Sequence, residues 1–285
     1  MIKRQRKVAK EKIKIIGRSK EILELEKAMS LGRNVLIEGP VGVGKTFLVR
    51  QVLESLGLDF ERIDGDTRYT ENKLTGWFDP PLVLKKGYVA SCFIEGPLLT
   101  AMKKGKILFI NELNRMPEAV QNILLPAMDE RHIMLPKLGR VDAKPGFLVV
   151  ATQNPREFTA THALSEALLD RFEMIPLYYQ DRDEEIEILK NELGPKVRTD
   201  VLERVVDIVR ATRNHPAIKR GASIRAAIAT LKLFVGGIDL EGACLMALPS
   251  RIEMVSSDDD PRQLVRDLLA MQIFPEFKEK KSPQK

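Results

Sequence analysis

Residues 34–46, Asn34-Val35-Leu36-Ile37-Glu38-Gly39-Pro40-Val41-Gly42-Val43-Gly44-Lys45-Thr46, decide the fold. An apolar strand-like run opens the stretch, and Gly39 to Thr46 fit the spacing GxxxxGK[ST]. The next residues, Phe47-Leu48-Val49-Arg50-Gln51-Val52-Leu53, begin an amphipathic helix. Glycines let the backbone curl so that its N–H groups face phosphate oxygens at the helix N-terminus. Lys45 then supplies charge to the β- and γ-phosphates, and the Thr46 hydroxyl can ligate Mg²⁺. A glycine-rich turn that bound nothing would not require Lys-Thr at this spacing, so the whole loop from Gly39 through Pro40, Val41, Gly42, Val43 and Gly44 to Thr46 is expected to hold a nucleotide.

Working outward, a second strand must end beside the phosphates. Ile107-Leu108-Phe109-Ile110 supplies it, closing in the polar pair Asn111-Glu112. Side chains at the carboxyl end of such a strand emerge next to the phosphate loop. Glu112 is placed to polarise a water for attack on the γ-phosphate. Further short apolar runs, Phe147 to Thr152 and Glu173 to Tyr179, alternate with helical patterns up to about residue 178. Alternation of this kind predicts a parallel sheet between helices. After Asp181 the strand signals vanish, and four segments place apolar residues at helical spacing. The predicted organisation is a basic N-terminal tail at 1–18, an α/β nucleotide-binding domain at 19–180, a small all-helical lid at 181–275 and a basic C-terminal tail at 276–285.

Composition agrees and excludes other classes. The chain has 285 residues with 44% hydrophobic and 30% charged residues, a soluble globular balance that rules out a disordered or collagen-like chain. No run of 18 uncharged apolar residues exists, and the basic start lacks the apolar core of a secretory signal, so no membrane span and a cytoplasmic location are expected. Residues 1–14 carry seven Lys/Arg and one Glu, and residues 275–285 four Lys and two Glu. The two ends therefore exceed the formal net charge of +6, and the body between them is slightly acidic. A basic end can hold nucleic acid by charge alone, or can be a solvated terminus. Cys92 and Cys244 belong to no CxxC pair, and His132, His162 and His215 have no metal-ligand spacing, so a transition-metal site is not expected.

Five segments in order, GPVGVGKT, INELNRMPEAVQNILLPAMDE, VVATQNP, LSEALLDRF and GASIRAA, resemble the MoxR family of AAA+ ATPases over about 190 residues. The resemblance implies an AAA+ P-loop NTPase core that binds ATP and Mg²⁺, with the Walker A loop at Gly39 to Thr46 and Walker B at Ile107 to Glu112. It implies a sensor 1 at Asn154, an arginine finger at Arg171 that reaches a neighbouring subunit's nucleotide, and a sensor 2 at Arg225 on the lid. An amide after an apolar strand can bridge a water and a phosphate, and a guanidinium offers a planar fork to phosphate oxygens. Two inserts also match: a β-hairpin interrupting helix 2, from Gly76 to Phe93 and on to Leu99, and a pre-sensor hairpin from Arg131 to Gly146. Trp77 or Tyr88 either touches a client polypeptide or pins the hairpin to its own core.

One departure from the family pattern bears on mechanism. Where the Walker B pattern reads Asp-Glu, this chain reads Asn111-Glu112, which keeps an acceptor oxygen for the metal's waters but loses a full charge. Slow hydrolysis is the expectation. The resemblance further implies a homo-oligomeric, hexameric ring, a von Willebrand factor A domain adaptor and a client protein. A nucleotide-gated scaffold with negligible hydrolysis, a DNA-acting motor subunit and a chelatase- or gas-vesicle-type relative stand as alternatives.

Overall fold

The computed structural model describes residues 15–154 and 163–273. The basic segments 1–14 and 276–285, and with them the proposed nucleic-acid tails, lie outside the described residues, as does His162. The described chain divides into two compact units, one ending at Tyr178 and the other beginning at Tyr179. Among the described residues no helix is long and apolar enough to cross a membrane.

The first unit runs α1 (Ser19–Ser30), β1 (Val35–Glu38), α2 (Lys45–Ser55), β2 (Phe60–Asp64), α3 (Glu71–Thr75), β3 (Gly76–Phe78), α4 (Pro80–Lys86), β4 (Phe93–Glu95), α5 (Pro97–Lys104) and β5 (Ile107–Asn111). It continues with α6 (Glu118–Asn122), α7 (Leu124–Asp129), β6 (His132–Leu135), β7 (Gly139–Asp142), β8 (Leu148–Gln153), α8 (Glu166–Leu169) and β9 (Glu173–Pro176). Five strands form one parallel sheet in the order β2-β5-β8-β1-β9. The burial of each strand follows that order. All six residues of β8 are buried, as are the first four of β5 and the first three of β1, because helices cover both faces of the middle strands. On the outer strands β2 and β9 only Ile63 and Ile175 are buried. Phe109 and Phe147 are the largest fully enclosed side chains.

Both expected inserts are hairpins. β3 pairs antiparallel with β4, and α4 forms between them because Asp79 accepts a hydrogen bond from the Leu82 amide and Pro80 and Pro81 fill first-turn positions that need no N–H. β6 pairs antiparallel with β7, Ile133 opposite Val141, with Lys137 in left-handed conformation at the turn. Trp77 is exposed; Tyr88 is also exposed yet meets Phe78 edge to face at 5.2 Å. The Lys137 ammonium lies 5.6 Å from the Tyr88 ring, so the two hairpins meet through a cation–π contact.

The second unit contains α9 (Arg182–Leu193), α10 (Thr199–Asn214), β10 (Ile218–Arg220), α11 (Ile224–Val235), α12 (Leu240–Ala247), β11 (Glu253–Met254) and α13 (Pro261–Ile273). Asp181 and Glu184 form a capping box that fixes where α9 starts. Leu202, Val205, Val206 and Val209 of α10 recur at helical spacing and pack with Ala226, Ala227, Leu231, Cys244 and Leu248. The unit is helical with one addition that periodicity did not mark, the short antiparallel ladder of β10 and β11. Inside it, Glu185 is almost wholly buried and pairs with Arg213 at 2.7 Å and Arg210 at 3.2 Å. Tyr179 stacks on the Arg213 guanidinium at 4.0 Å, so the ion pair sits under an aromatic lid. Cys92 and Cys244 are both buried free thiols, and burial pushes the Cys244 thiol up to about 12.

Candidate nucleotide site

The parallel register brings the carboxyl ends of four strands level. Glu38 of β1 lies opposite Gln153 of β8, and Asp64 of β2 lies opposite Asn111 of β5. At the β1 end the chain enters the loop Gly39 to Gly44, where Gly42 and Gly44 take φ of 82° and 92°. Only glycine adopts this left-handed backbone without strain, and it turns the loop directly into α2. No side chain caps the first turn of α2. Lys45 Nζ donates across the loop to the carbonyls of Gly39 at 2.6 Å and Pro40 at 2.8 Å. A glycine cradle, a positive helix end and a lysine together have the chemistry of a phosphate site.

The polar centre of the site is Asn111. Its Oδ1 accepts from the Thr46 hydroxyl at 2.6 Å and from the Thr152 hydroxyl at 3.0 Å, while its Nδ2 donates to Asp64 Oδ1 at 2.8 Å. Thr152 is fully buried, and its hydroxyl also accepts from the Glu112 amide at 3.0 Å. Glu112 is held at φ 57°, a left-handed conformation uncommon for a non-glycine residue. Its carboxylate pairs with Arg115 at 3.0 Å, both side chains being partly exposed. An ion pair so open to water contributes at most about 1 kcal/mol, so Glu112 can exchange it for a water. Asn154 is buried one residue beyond β8, and its carbonyl accepts from Asn114 Nδ2 at 3.1 Å. The residues singled out from sequence in the loop, at Asn111, at Glu112 and at Asn154 therefore lie along one edge of the sheet.

Arg171 does not join them. It precedes β9, whose Glu173 pairs with Val35 at the opposite end of β1, roughly 13 Å along the strand from Gly39 at about 3.3 Å per residue. There its guanidinium binds Asp129 at 2.5 Å and the Ala167 carbonyl. Arg225 belongs to the second unit, exposed in the first turn of α11, where the helix end disfavours a cation.

Three residues of this edge were not singled out in the sequence. Asp64 and Thr152 acquire their role only from strand register. Gln153 donates to Glu38 at 2.6 Å and ties the start of the loop to β8. The signal for Asp64 was available: an acidic residue before Gly65 in a segment that must return to the sheet.

Comparison with known proteins bears on the family and the fold. A family described as an AAA domain (dynein-related subfamily) matches residues 34–172, and one described as CbbQ/NirQ/NorQ C-terminal matches residues 185–272. The uncharacterized protein YeaC of Bacillus subtilis is 32% identical over 237 residues, which cover 74% of this chain and 71% of YeaC. The gas vesicle ATPase GvpN1 of Halobacterium salinarum is 31% identical over 220 residues, 72% of this chain and 62% of that protein. Among solved structures, a RuvB variant from Thermotoga maritima superposes with a TM-score of 0.53 at 21% identity, covering 80% of this chain and 69% of that one. At that identity the likeness speaks for the fold.

Proposed function

Because the chain belongs to the MoxR family of AAA+ ATPases, we propose that it binds ATP with Mg²⁺ between β1 and α2 and hydrolyses it within a homo-oligomeric, hexameric ring, coupling the cycle to remodelling or assembly of a client protein. The observation that carries the reading is the meeting of Thr46, Asn111 and Thr152 oxygens beside a loop whose helix end has no side-chain cap. Gly39 to Gly44 and the first amides of α2 hold the phosphates, and Lys45 leaves the Gly39 and Pro40 carbonyls to neutralise them. The Thr46 hydroxyl, whose proton is directed at Asn111 Oδ1, leaves an oxygen lone pair that would hold Mg²⁺. Mg²⁺, if bound there, would supply Lewis-acid stabilisation of the charge that develops on the phosphates. Glu112 orients the attacking water and accepts its proton. Asn154 holds that water from the other side, and Thr152 fixes the Glu112 backbone so that the carboxylate returns to one position.

The placement of Arg171 at the far edge of the sheet supports action in trans, on the nucleotide of a neighbouring subunit. Arg225 is the residue to which the family resemblance assigns the role of sensor 2. The two hairpins, with Trp77 and Tyr88 exposed, suit contact with a client polypeptide. An adaptor with a von Willebrand factor A domain is the partner the family suggests, and the name of the gas vesicle ATPase relative supports turnover. One observation favours a nucleotide-gated switch instead: the amide at Asn111.

Single-turnover ATP hydrolysis of wild type beside Glu112→Gln and Lys45→Ala, with oligomer mass recorded with and without ATP, tests the reading. Turnover in wild type, binding without turnover in Glu112→Gln, no binding in Lys45→Ala and ATP-driven assembly are expected. Wild type that binds ATP in a ring and never cleaves it is a switch.

A further inference from the structure

Asn111 makes three hydrogen bonds that a carboxylate could not make together. Its oxygen accepts from two hydroxyls, Thr46 and Thr152, which leaves its NH₂ group facing Asp64 Oδ1 at 2.8 Å. A carboxylate at 111 in the same place would oppose the Asp64 carboxylate at hydrogen-bond distance with no proton between them, a like-charge contact that raises the energy of both. Asn111 and Asp64 are direct register partners on neighbouring parallel strands, so the site keeps one acidic side chain at this level of the sheet but carries it on β2 instead of β5. The Asp64 side chain is 59% exposed, within reach of a hydrated cation. Arg62, also on β2, shares the same oxygen at 2.7 Å and is the counter-ion a divalent cation must compete with.

We propose that Asp64 supplies the negative charge toward the water shell of the nucleotide-bound Mg²⁺ that an aspartate at 111 would otherwise supply, Asn111 acting as the hydrogen-bonded link between that carboxylate and the Thr46 hydroxyl. Mg²⁺ keeps several of its waters in protein sites, so a carboxylate one residue to the side can serve through water without entering the inner shell. Asp64 is thus a positioning residue for the metal, and the amide at 111 is half of a matched pair. This inference rests on the ATP·Mg²⁺ reading of the loop.

The test is relocation of the charge. Binding of Mn²⁺ in the presence of a non-hydrolysable ATP analogue is followed by the loss of the free Mn²⁺ paramagnetic signal for wild type, Asp64→Asn, Asp64→Ser, Asn111→Asp and the double variant Asp64→Asn with Asn111→Asp. Loss of an outer-shell carboxylate typically weakens metal binding roughly 10- to 100-fold, which is the change expected for Asp64→Asn and Asp64→Ser. The double variant, which moves the carboxylate back to β5, is expected to recover affinity to near the wild-type value. Melting curves of each variant report folding, and Asp64→Ser stands in should Asp64→Asn not fold. Unchanged Mn²⁺ affinity in the single Asp64 variants overturns the proposal. So does a loss that the double variant fails to restore, because a merely structural role of Asp64 gives that result. Wild type that binds Mn²⁺–nucleotide while Asp64→Asn is unaffected removes this inference and leaves the nucleotide reading standing; wild type that binds no nucleotide removes both.

Discussion

If Glu112 acts on the attacking water as proposed, Gly65→Ala separates catalysis from nucleotide binding by moving one backbone against another. The Gly65 amide donates to the Asn111 carbonyl at 2.7 Å, extending the pairing of β2 and β5 past the end of both strands. A Cβ added at Gly65 falls 2.0 Å from the Glu112 carbonyl oxygen and 2.9 Å from its carbon. Real Cβ contacts are not shorter than 3.0 Å, so the two strand ends must part by about 1 Å, enough displacement of a reacting group to cost roughly 100-fold in rate. The expected kcat is therefore down about 100-fold, or about 2.7 kcal/mol in the barrier. Nucleotide affinity should stay within about threefold, since the phosphate loop hangs on β1 and α2; threefold is about 0.7 kcal/mol. Overpacking costs about 1 to 3 kcal/mol of stability. For a unit of this size each kcal/mol lowers Tm by about 2 to 4 °C. Gly57→Ala is the control, because φ there is 62° and an added Cβ meets nothing within 4 Å. It should lower Tm by a few degrees through backbone strain alone, about 1 to 2 kcal/mol, and leave kcat unchanged. The assay is single-turnover hydrolysis with a fluorescent-nucleotide titration and a melt for each variant. If Gly65→Ala loses no more rate than Gly57→Ala, β2 yields without disturbing Glu112 and the reasoning is wrong.

Other perturbations follow from named contacts. Glu185→Gln leaves Arg213 and Arg210 facing an uncharged amide in a nearly closed space, and breaking such a pair costs about 3 to 5 kcal/mol; calorimetry should show a lowered transition for the second unit, and an unchanged one refutes the role of the pair. If Arg171 acts on a neighbouring nucleotide, Arg171→Ala and Glu112→Gln, each inactive alone, regain hydrolysis when mixed as subunits, whereas mixing restores nothing if Arg171 only braces Asp129. Burial raises the Cys244 thiol to about 12, with Glu241 adding to the shift, so at pH 8 the thiolate is scarce as well as enclosed; mass spectrometry after iodoacetamide should find Cys244 unmodified until the protein is unfolded.

The loop and the Asn111-Glu112 pair were legible in the sequence because phosphate chemistry demands particular residue types at fixed spacing, and because buried β1 and β5 are continuous apolar runs. β2 was not singled out, and its burial explains why: of Phe60-Glu61-Arg62-Ile63-Asp64 only Ile63 is enclosed, so neither an apolar run nor a regular alternation marks an outer strand of a parallel sheet. Asp64 was hidden with it. Thr152 lay in plain view at the end of an apolar strand, yet its bonds to Asn111 and to the Glu112 amide exist only once β8 is set beside β5 in register. Arg171 was picked out by type and neighbourhood, while its pairing with Asp129 joins residues 42 positions apart and has no local signature. The ladder of β10 and β11 is three residues against two, too short for any periodicity to register.

The strand order carries a consequence for how such a protein can diversify. The phosphate loop springs from β1, clasped between β8 and β9, where a changed side chain is felt throughout the interior. Asp64 ends β2, at the rim of the sheet, where only Ile63 is enclosed, and Gly65 follows it. On the reading proposed above, changes on the rim would retune the metal and the attacking water, while the phosphate loop stays set in the interior.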